Sequence, residues 1–167
     1  MTTYTGKKFN PLDPDPEMIC IEDIAHHLAL ECRYNGACKF FYSVAQHSVL
    51  GLRHVSEGNA AAFLLHDGAE AYLRDIVKGV KDQLRDYKRI ESHLQAIIYE
   101  RFGIMGFYKS EVKRVDYALM ATEARVLIGN LDGWSFPELP LDVVIEEWSW
   151  RNAEDKFLQA AHLYSLR

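Results

Sequence analysis

The dipeptide His66-Asp67 is the part of the sequence whose residue types most directly suggest chemistry. It follows the apolar run of residues 60–65, which predicts that both side chains belong to the most hydrophobic helix of the chain. An ionised aspartate in such surroundings is costly unless a partner compensates its charge. That partner is either an arginine, in an ordinary salt bridge, or a metal ion, and the dipeptide alone leaves both open.

A metal ion would need ligands from other helices, because adjacent helical residues point about 100° apart. His47 on the preceding predicted helix and Asp116 on the helix after next are the candidates. Two imidazoles and two carboxylates give mixed nitrogen and oxygen ligation, which suits Zn, Mn, Co or Ni better than Ca. The cofactor prediction is one divalent metal ion: Zn, Mn, Co, Ni or Mg.

A basic stripe follows the dipeptide along the chain. Lys78, Lys81 and Arg85 are spaced three and four residues apart, so they share one helix face. Such a face could hold phosphate groups. The alternative is a solvated face whose charge is balanced by Asp82 and Asp86, since exposed ion pairs carry little energy.

Several strings with these residues follow one another in a definite order. They are Arg33 with residues 42–48, then residues 65–75, then Asp116 with residues 121–125. This order resembles that of an HD-domain metal-dependent phosphohydrolase, and in particular the small branch of bacterial 5′-deoxynucleotidases and phage dATP triphosphohydrolases. The resemblance covers residues 4–128, and its ordered His, His-Asp and Asp set is far more specific than the dipeptide.

The resemblance implies a role for each matching position. The metal ligands would be His47, His66, Asp67 and Asp116. The catalytic residues would be Glu70, which supports the metal-activated water, and Asp75, which orients or deprotonates it. Substrate contacts would be Arg33 at phosphate and Tyr34 at the nucleoside, with Lys78 and Lys81 available for further phosphates. The chain departs from many relatives at Ala37, which bears on the substrate contacts, and at Gly68. Both departures leave every predicted metal ligand in place.

The resulting functional expectation is cleavage of (deoxy)nucleoside 5′-phosphates by metal-activated water. A 5′-deoxynucleotidase and a triphosphohydrolase acting on a substrate such as dATP are both compatible with it. Two alternatives stay open: another HD-type enzyme such as an alarmone hydrolase or cyclic-nucleotide phosphodiesterase, and a non-catalytic nucleotide-binding module. The second would be expected to lack a ligand or Asp75, and the chain has the whole set.

Composition limits the partners. The 167 residues carry 19 Lys and Arg against 24 Asp and Glu, a net charge of −5, which disfavours a nucleic-acid polymer or a membrane surface as partner. A small nucleotide substrate remains compatible. Three cysteines without C-x-x-C spacing favour reduced thiols in a cytoplasm, or a host cytoplasm if the protein is phage-encoded. A homo-oligomer is expected.

The elements that must position these residues are predicted to be helices throughout, in an all-α, single-domain HD-type bundle with the metal site between helices. Residues 1–20 should form an extended, proline-broken strap. Helices should begin at Ile21 and at Ser43. Asn59 and Ser110 should be the N-caps of two more, the first of which runs on to Tyr72, and a polar helix should extend from Val80 to Arg101. A last helical region should cover residues 141–167.

Two further expectations concern residues outside the ligand set. Glu123 shares a helix face with Asp116, so it either orients Arg33 or a ligand, or pairs with Arg125 or Lys113. Three tryptophans surround the late loop and the last helix, where core packing or a subunit interface explains them better than base stacking. They are Trp134, Trp148 and Trp150.

Overall fold

Apolar residues at helical spacing form a buried face on the longer helices. In the computed structural model, which describes all 167 residues, Ile24 and Leu28 are fully buried on one helix, as are Val115 and Leu119 on another. The chain is all-α, with eight helices and no strand, in one domain. The helices are α1 (Ile21–Leu30), α2 (Val44–Gly51), α3 (Glu57–Leu64), α4 (Glu70–Leu73), α5 (Lys78–Lys81), α6 (Arg85–Arg101), α7 (Lys109–Leu127) and α8 (Trp150–Leu163).

Helix α2 lies at the centre of the packing. It contacts α1, α3, α7 and α8, while α1 also packs against α4. The largest core cluster joins buried residues of α1, α2, α3, α4, α6 and α8. A short helix in such a position buries most of its side chains, so His47 and its neighbours are fully excluded from solvent.

Residues 1–20, the predicted N-terminal strap, contain no α-helix; turns at residues 4–6 and 11–13 and one short 3-10 turn, Pro16–Met18, interrupt the segment. Thr2 and Lys8 form an antiparallel bridge within it. The strap is fixed to α1 by Asp23, a fully buried carboxylate that accepts hydrogen bonds from the Thr5 backbone N–H (2.7 Å) and hydroxyl (3.0 Å).

The starts of α2 and α3 agree only in part with the prediction. Ser43 caps α2, since its hydroxyl accepts from the Gln46 backbone N–H at 3.1 Å. The predicted cap of the next helix was wrong: α3 begins after Ser56, three residues before Asn59. The Asn59 side chain instead binds the Glu111 carboxylate and accepts from a backbone N–H of the chain before α7.

The helix predicted to continue through Tyr72 is broken. Helix α3 ends at Leu64, a tight turn covers residues 65–69, and α4 follows. Gly68 permits the turn, because a Cβ there would lie 3.0 Å from the Leu65 carbonyl oxygen and 3.3 Å from Ile98 Cγ2. The break removes the geometric objection to a shared ligand site, since His66 and Asp67 are no longer consecutive residues of one helix.

Three other boundaries differ from the prediction. The helix predicted from Val80 to Arg101 is two helices, α5 and α6. Helix α7 begins at Lys109, so Ser110 is inside it and does not cap it. The C-terminal helical region is shorter than residues 141–167: it begins only at Trp150, where the Ser149 hydroxyl accepts from a backbone N–H of the first turn. None of the helices combines the length and apolarity needed to cross a membrane.

Helices α2 and α3 approach each other closely at Gly51. Alanine substitutions at Gly51 and at a second glycine, Gly58, test this contact. A Cβ on Gly51, whose backbone is right-handed (φ −73°), would overlap the buried Phe63 ring, whereas a Cβ on exposed Gly58 would meet nothing. We expect Gly51→Ala to destabilise the protein by about 1–3 kcal/mol through overpacking. Gly58→Ala should stabilise it by about 0.5–1 kcal/mol through helix propensity. Urea unfolding measures both changes in the free energy of unfolding, and we expect the m-values to stay unchanged. Equal midpoints for the two variants would contradict this account.

Candidate metal centre

Three of the four predicted ligands converge at the junction of α2 and the 65–69 turn. His47, His66 and Asp67 each place one donor atom within 4.8 Å of the others. The two imidazole Nε2 atoms face each other at 3.4 Å, and His66 Nε2 lies 3.3 Å from Asp67 Oδ2. This is a His, His and carboxylate group that could hold a metal ion.

The far nitrogen of each imidazole is engaged by an acceptor. His47 Nδ1 lies 2.6 Å from Glu123 Oε1, and His66 Nδ1 lies 2.6 Å from the Phe63 carbonyl oxygen. Both acceptors require the Nδ1–H tautomer in a neutral ring, which leaves both Nε2 lone pairs directed at the shared space. Metal-binding histidines are oriented by this kind of contact.

The fourth predicted ligand, Asp116 on α7, borders the same space. Its Oδ1 lies 3.2 Å from His47 Nε2 and 3.8 Å from His66 Nε2, although it falls outside the tightest three-residue group. Ligand atoms at zinc distances of 2.0–2.2 Å in a tetrahedral site are separated by about 3.4 Å. The four separations that involve the Nε2 atoms, 3.2 to 3.8 Å, are close to that spacing, so the group of His47, His66 and Asp67 could hold a divalent ion.

The charges around the donor group favour protonated imidazoles and an ionised Asp116 carboxylate. Burial alone would lower the pKa of His66, but the Asp67 charge and the contact with Asp116 outweigh it and raise that pKa to about 9. The pKa of His47 is also raised, because Glu123 and Asp116 outweigh burial and the Arg33 charge. Hydrogen bonds from both imidazoles outweigh burial and hold the pKa of Asp116 well below its usual value.

Glu123 is the functional residue whose role the sequence left undecided. Its carboxylate is fully buried and contacts neither Arg125 nor Lys113. It instead accepts from Arg33 Nε (3.1 Å), from the Tyr42 hydroxyl (2.7 Å) and from His47 Nδ1. Burial raises its pKa, but Arg33 and His47 outweigh this effect, so the net shift is downward and the carboxylate stays charged.

Arg33 and Tyr34 reach the site through an unusual backbone. Tyr34 (φ 54°) and Asn35 (φ 53°) are left-handed, as is Gly36 (φ 78°). For the two residues that carry a Cβ this conformation costs of order 1 kcal/mol or more each, and such strain concentrates at functional sites. It places the Tyr34 hydroxyl 3.1 Å from Glu123 Oε2 and Arg33 Nη1 3.8 Å from Asp67 Oδ2. Asp67 therefore has both of the partners considered from the sequence: an arginine, and a group of donor atoms that could hold a metal ion.

Of the two predicted catalytic carboxylates, Glu70 lines a cavity beside the donor group, whereas Asp75 does not line it and instead contacts Lys81. The cavity, about 220 Å³, is lined by His66, Asp67, Ala69, Glu70, Lys81, Glu91, Ser92 and Gln95. Burial, followed by the charges of Asp67 and Asp75, raises the pKa of Glu70 to about 10. Glu70 begins α4 and His66 lies in the turn before it, so the two residues belong to different elements, yet both line this cavity.

Lys81 does not project freely from a basic stripe. Its Nζ lies 2.7 Å from Glu91, 3.2 Å from Asp75 and 3.8 Å from Glu70. Lys78 is exposed and makes no ion pair. The structure thus brings Lys81 to the cavity inside an acidic group and leaves Lys78 at the surface.

A larger cavity, about 580 Å³, lies elsewhere, between α2, α8 and the segment that precedes α8. Mainly apolar side chains line it, and it contains none of the predicted site residues. Size alone would make it the first choice. We place the candidate site at the smaller cavity because the converging donor atoms and shifted pKa values are found there.

The orienting role of Glu123 gives a direct test. Glu123→Gln keeps the shape of the side chain but removes the charged acceptor of His47 Nδ1, so we expect metal affinity to fall about 10- to 100-fold. Competition with a chromophoric chelator measures the affinity, and circular dichroism checks the fold. Glu100→Gln, an exposed change on α6, is the control. A folded Glu123→Gln protein with unchanged affinity would contradict this role.

Comparison with known proteins finds two bacterial relatives. The chain is 41% identical over 134 residues to the uncharacterized protein YfdR of Escherichia coli (strain K12), covering 80% of this chain and 74% of the relative. It is 34% identical over 144 residues to the uncharacterized protein RCAP_rcc00048 of Rhodobacter capsulatus, again covering 80% of this chain and 74% of the relative. No model of a protein family matches, so the resemblance to HD-domain phosphohydrolases stays a prediction. At these identities and coverages, the chain belongs to one protein family with YfdR and RCAP_rcc00048.

Proposed function

We propose that this protein is an HD-type, metal-dependent phosphohydrolase that cleaves (deoxy)nucleoside 5′-phosphates. The observation that carries the proposal is the convergence of His47, His66 and Asp67 beside a largely buried arginine, Arg33. A metal-type donor group next to a guanidinium suits a substrate with a phosphate, because the guanidinium fork matches phosphate oxygens.

The charge of the site supports a bound cation. The ligand carboxylates Asp67 and Asp116 face two imidazoles, and the adjoining cavity adds the carboxylate of Glu91. A phosphate would be repelled from such a group of carboxylates on its own. When bound, a divalent ion supplies Lewis acidity, offsets charge on the phosphoryl oxygens and lowers the pKa of water.

The protein side chains would divide the remaining work. Arg33 uses Nε for Glu123 and keeps further N–H groups for phosphate oxygens. Asp75, half exposed beside Lys81, would take or orient the proton of the attacking water. Glu70 lines the same cavity as Asp67 and would hold that water in position.

The reaction is hydrolysis at the phosphorus attached to the 5′ oxygen. The water oxygen forms a bond to this phosphorus, the bond from phosphorus to the 5′ oxygen breaks, and the 5′ oxygen takes a proton. A monophosphate yields nucleoside and phosphate, and a triphosphate yields nucleoside and triphosphate. Lys81 is already surrounded by three carboxylates, which leaves few cations for extra phosphates and favours the monophosphate.

Substitutions separate metal binding from turnover. We expect His66→Ala and Asp67→Ala to lose both bound metal and hydrolysis, because each removes a ligand atom. Asp75→Ala should keep the metal and lower kcat about 100- to 10,000-fold, as for a lost general base. Asp86→Ala, at an exposed carboxylate on α6, is the control. Metal content and phosphate release are the measurements, and full activity in a metal-free Asp67→Ala preparation would exclude the mechanism.

A substrate screen tests the reaction class. The purified protein, loaded in turn with Mn, Co, Zn or Mg, is given nucleoside mono-, di- and triphosphates. We expect faster release of phosphate from monophosphates than of triphosphate from triphosphates. The absence of hydrolysis with every metal and nucleotide would overturn the proposed function.

A further inference from the structure

An exposed aromatic group lies beside the Arg33–Gly36 turn. Trp134, in the loop between α7 and α8, has its ring centroid 6.2 Å from that of Tyr34 and 5.7 Å from that of Phe136. Trp134 is 44% exposed, whereas Trp148 and Trp150 are each partly buried. This exposure excludes core packing for Trp134, which was one of the two roles, beside a subunit interface, that the sequence suggested.

The loop that carries Trp134 is held by specific hydrogen bonds. The Trp134 backbone N–H donates to the Leu131 carbonyl oxygen at 3.0 Å, with the intervening Gly133 in the left-handed region (φ 79°). The end of the loop is fixed to α7, since the Leu141 backbone N–H donates to the Thr122 hydroxyl at 2.7 Å. An exposed indole on an ordered loop is a preorganised contact surface.

One side chain connects this surface to the metal centre. The Tyr34 hydroxyl donates to Glu123, whose other oxygen holds His47, and the Arg33 guanidinium lies 5.5 Å from the centre of the Tyr34 ring. A group bound at Arg33 is thus one aromatic ring away from Trp134. The 220 Å³ cavity, which Asp67 also lines, is polar, with Ala69 as its one apolar lining residue.

We infer that Trp134 is the base-contacting residue of the site: its indole stacks on the nucleobase of a substrate whose phosphate lies at Arg33 and Asp67. The inference rests on the proposed function and adds the part of the substrate that is recognised. A nucleobase is flat and weakly polar on its faces, so it gains more from an exposed indole than from a cavity lined by carboxylates and a lysine. Trp134 then discriminates nucleotides from phosphate esters that lack a base.

Steady-state kinetics test this inference with matched substrates and variants. Trp134→Ala should raise KM for nucleoside monophosphates about 5- to 100-fold, the range expected for loss of one base stack, with kcat little changed. Hydrolysis of deoxyribose 5-phosphate should be unaffected, and Trp134→Phe should restore most of the affinity. An equal loss with both substrates would show a structural role for the loop and overturn the inference.

An unchanged KM for nucleoside monophosphates in Trp134→Ala would also overturn the inference, because the base would then make its contacts elsewhere in the site.

A binding measurement separates this inference from the proposed function. In a Trp148→Phe, Trp150→Phe background, Trp134 is the sole tryptophan. We expect nucleoside monophosphates, in the presence of Mg, to quench its fluorescence and deoxyribose 5-phosphate not to. Quenching without any hydrolysis would overturn the proposed function and support the base contact. Hydrolysis without quenching would do the reverse.

Discussion

The ionised carboxylate of Glu123, fully buried beneath the site, is the group on which the other contacts depend. A charge in this position is strongly destabilising unless it is paired and hydrogen-bonded. Four donors meet it, from Arg33, Tyr34, Tyr42 and His47. These donors belong to the segment before α2 and to α2 itself, whereas Glu123 belongs to α7. One buried charge thus joins the two parts of the chain. It orients the His47 imidazole, a candidate metal ligand, together with the Arg33 guanidinium, a candidate phosphate contact.

The arrangement also explains how an acidic protein can accept an anion. The net charge is −5, and several of the carboxylates responsible lie around the site. Their repulsion is reduced where imidazoles, Arg33 and Lys81 interleave with them. With a divalent ion added, the local sign would reverse without any change in the net charge of the surface, because short-range interactions in a partly buried site outweigh distant, screened ones.

Much of the fold and of the candidate site could be predicted from the sequence, and the predictions that were wrong have physical causes. Apolar periodicity indicated the helices, and Ser43 behaved as a cap because its hydroxyl satisfies a free N–H. The break after Leu64 was missed, because an apolar run does not show where tertiary packing interrupts a helix. His66 and Asp67 were found by residue type, but their convergence depends on that break. The role of Glu123 stayed undecided, since helix spacing gives a face and not the partner across it. Core packing, one of the two roles predicted for Trp134, was wrong because this residue lies exposed in a loop.

The ring of Phe63 limits the routes by which a metal ion could enter and leave the site. This fully buried side chain packs against both imidazoles, with centroid distances of 6.1 Å to His47 and 4.7 Å to His66. Hydrocarbon on that flank offers no path to a hydrated cation. Exchange of a metal ion would therefore be confined to the polar side of the site, through the opening that a substrate phosphate would also use. A bound nucleotide would then slow the loss of the ion to a chelator, so that residence time of the metal becomes a measure of substrate occupancy.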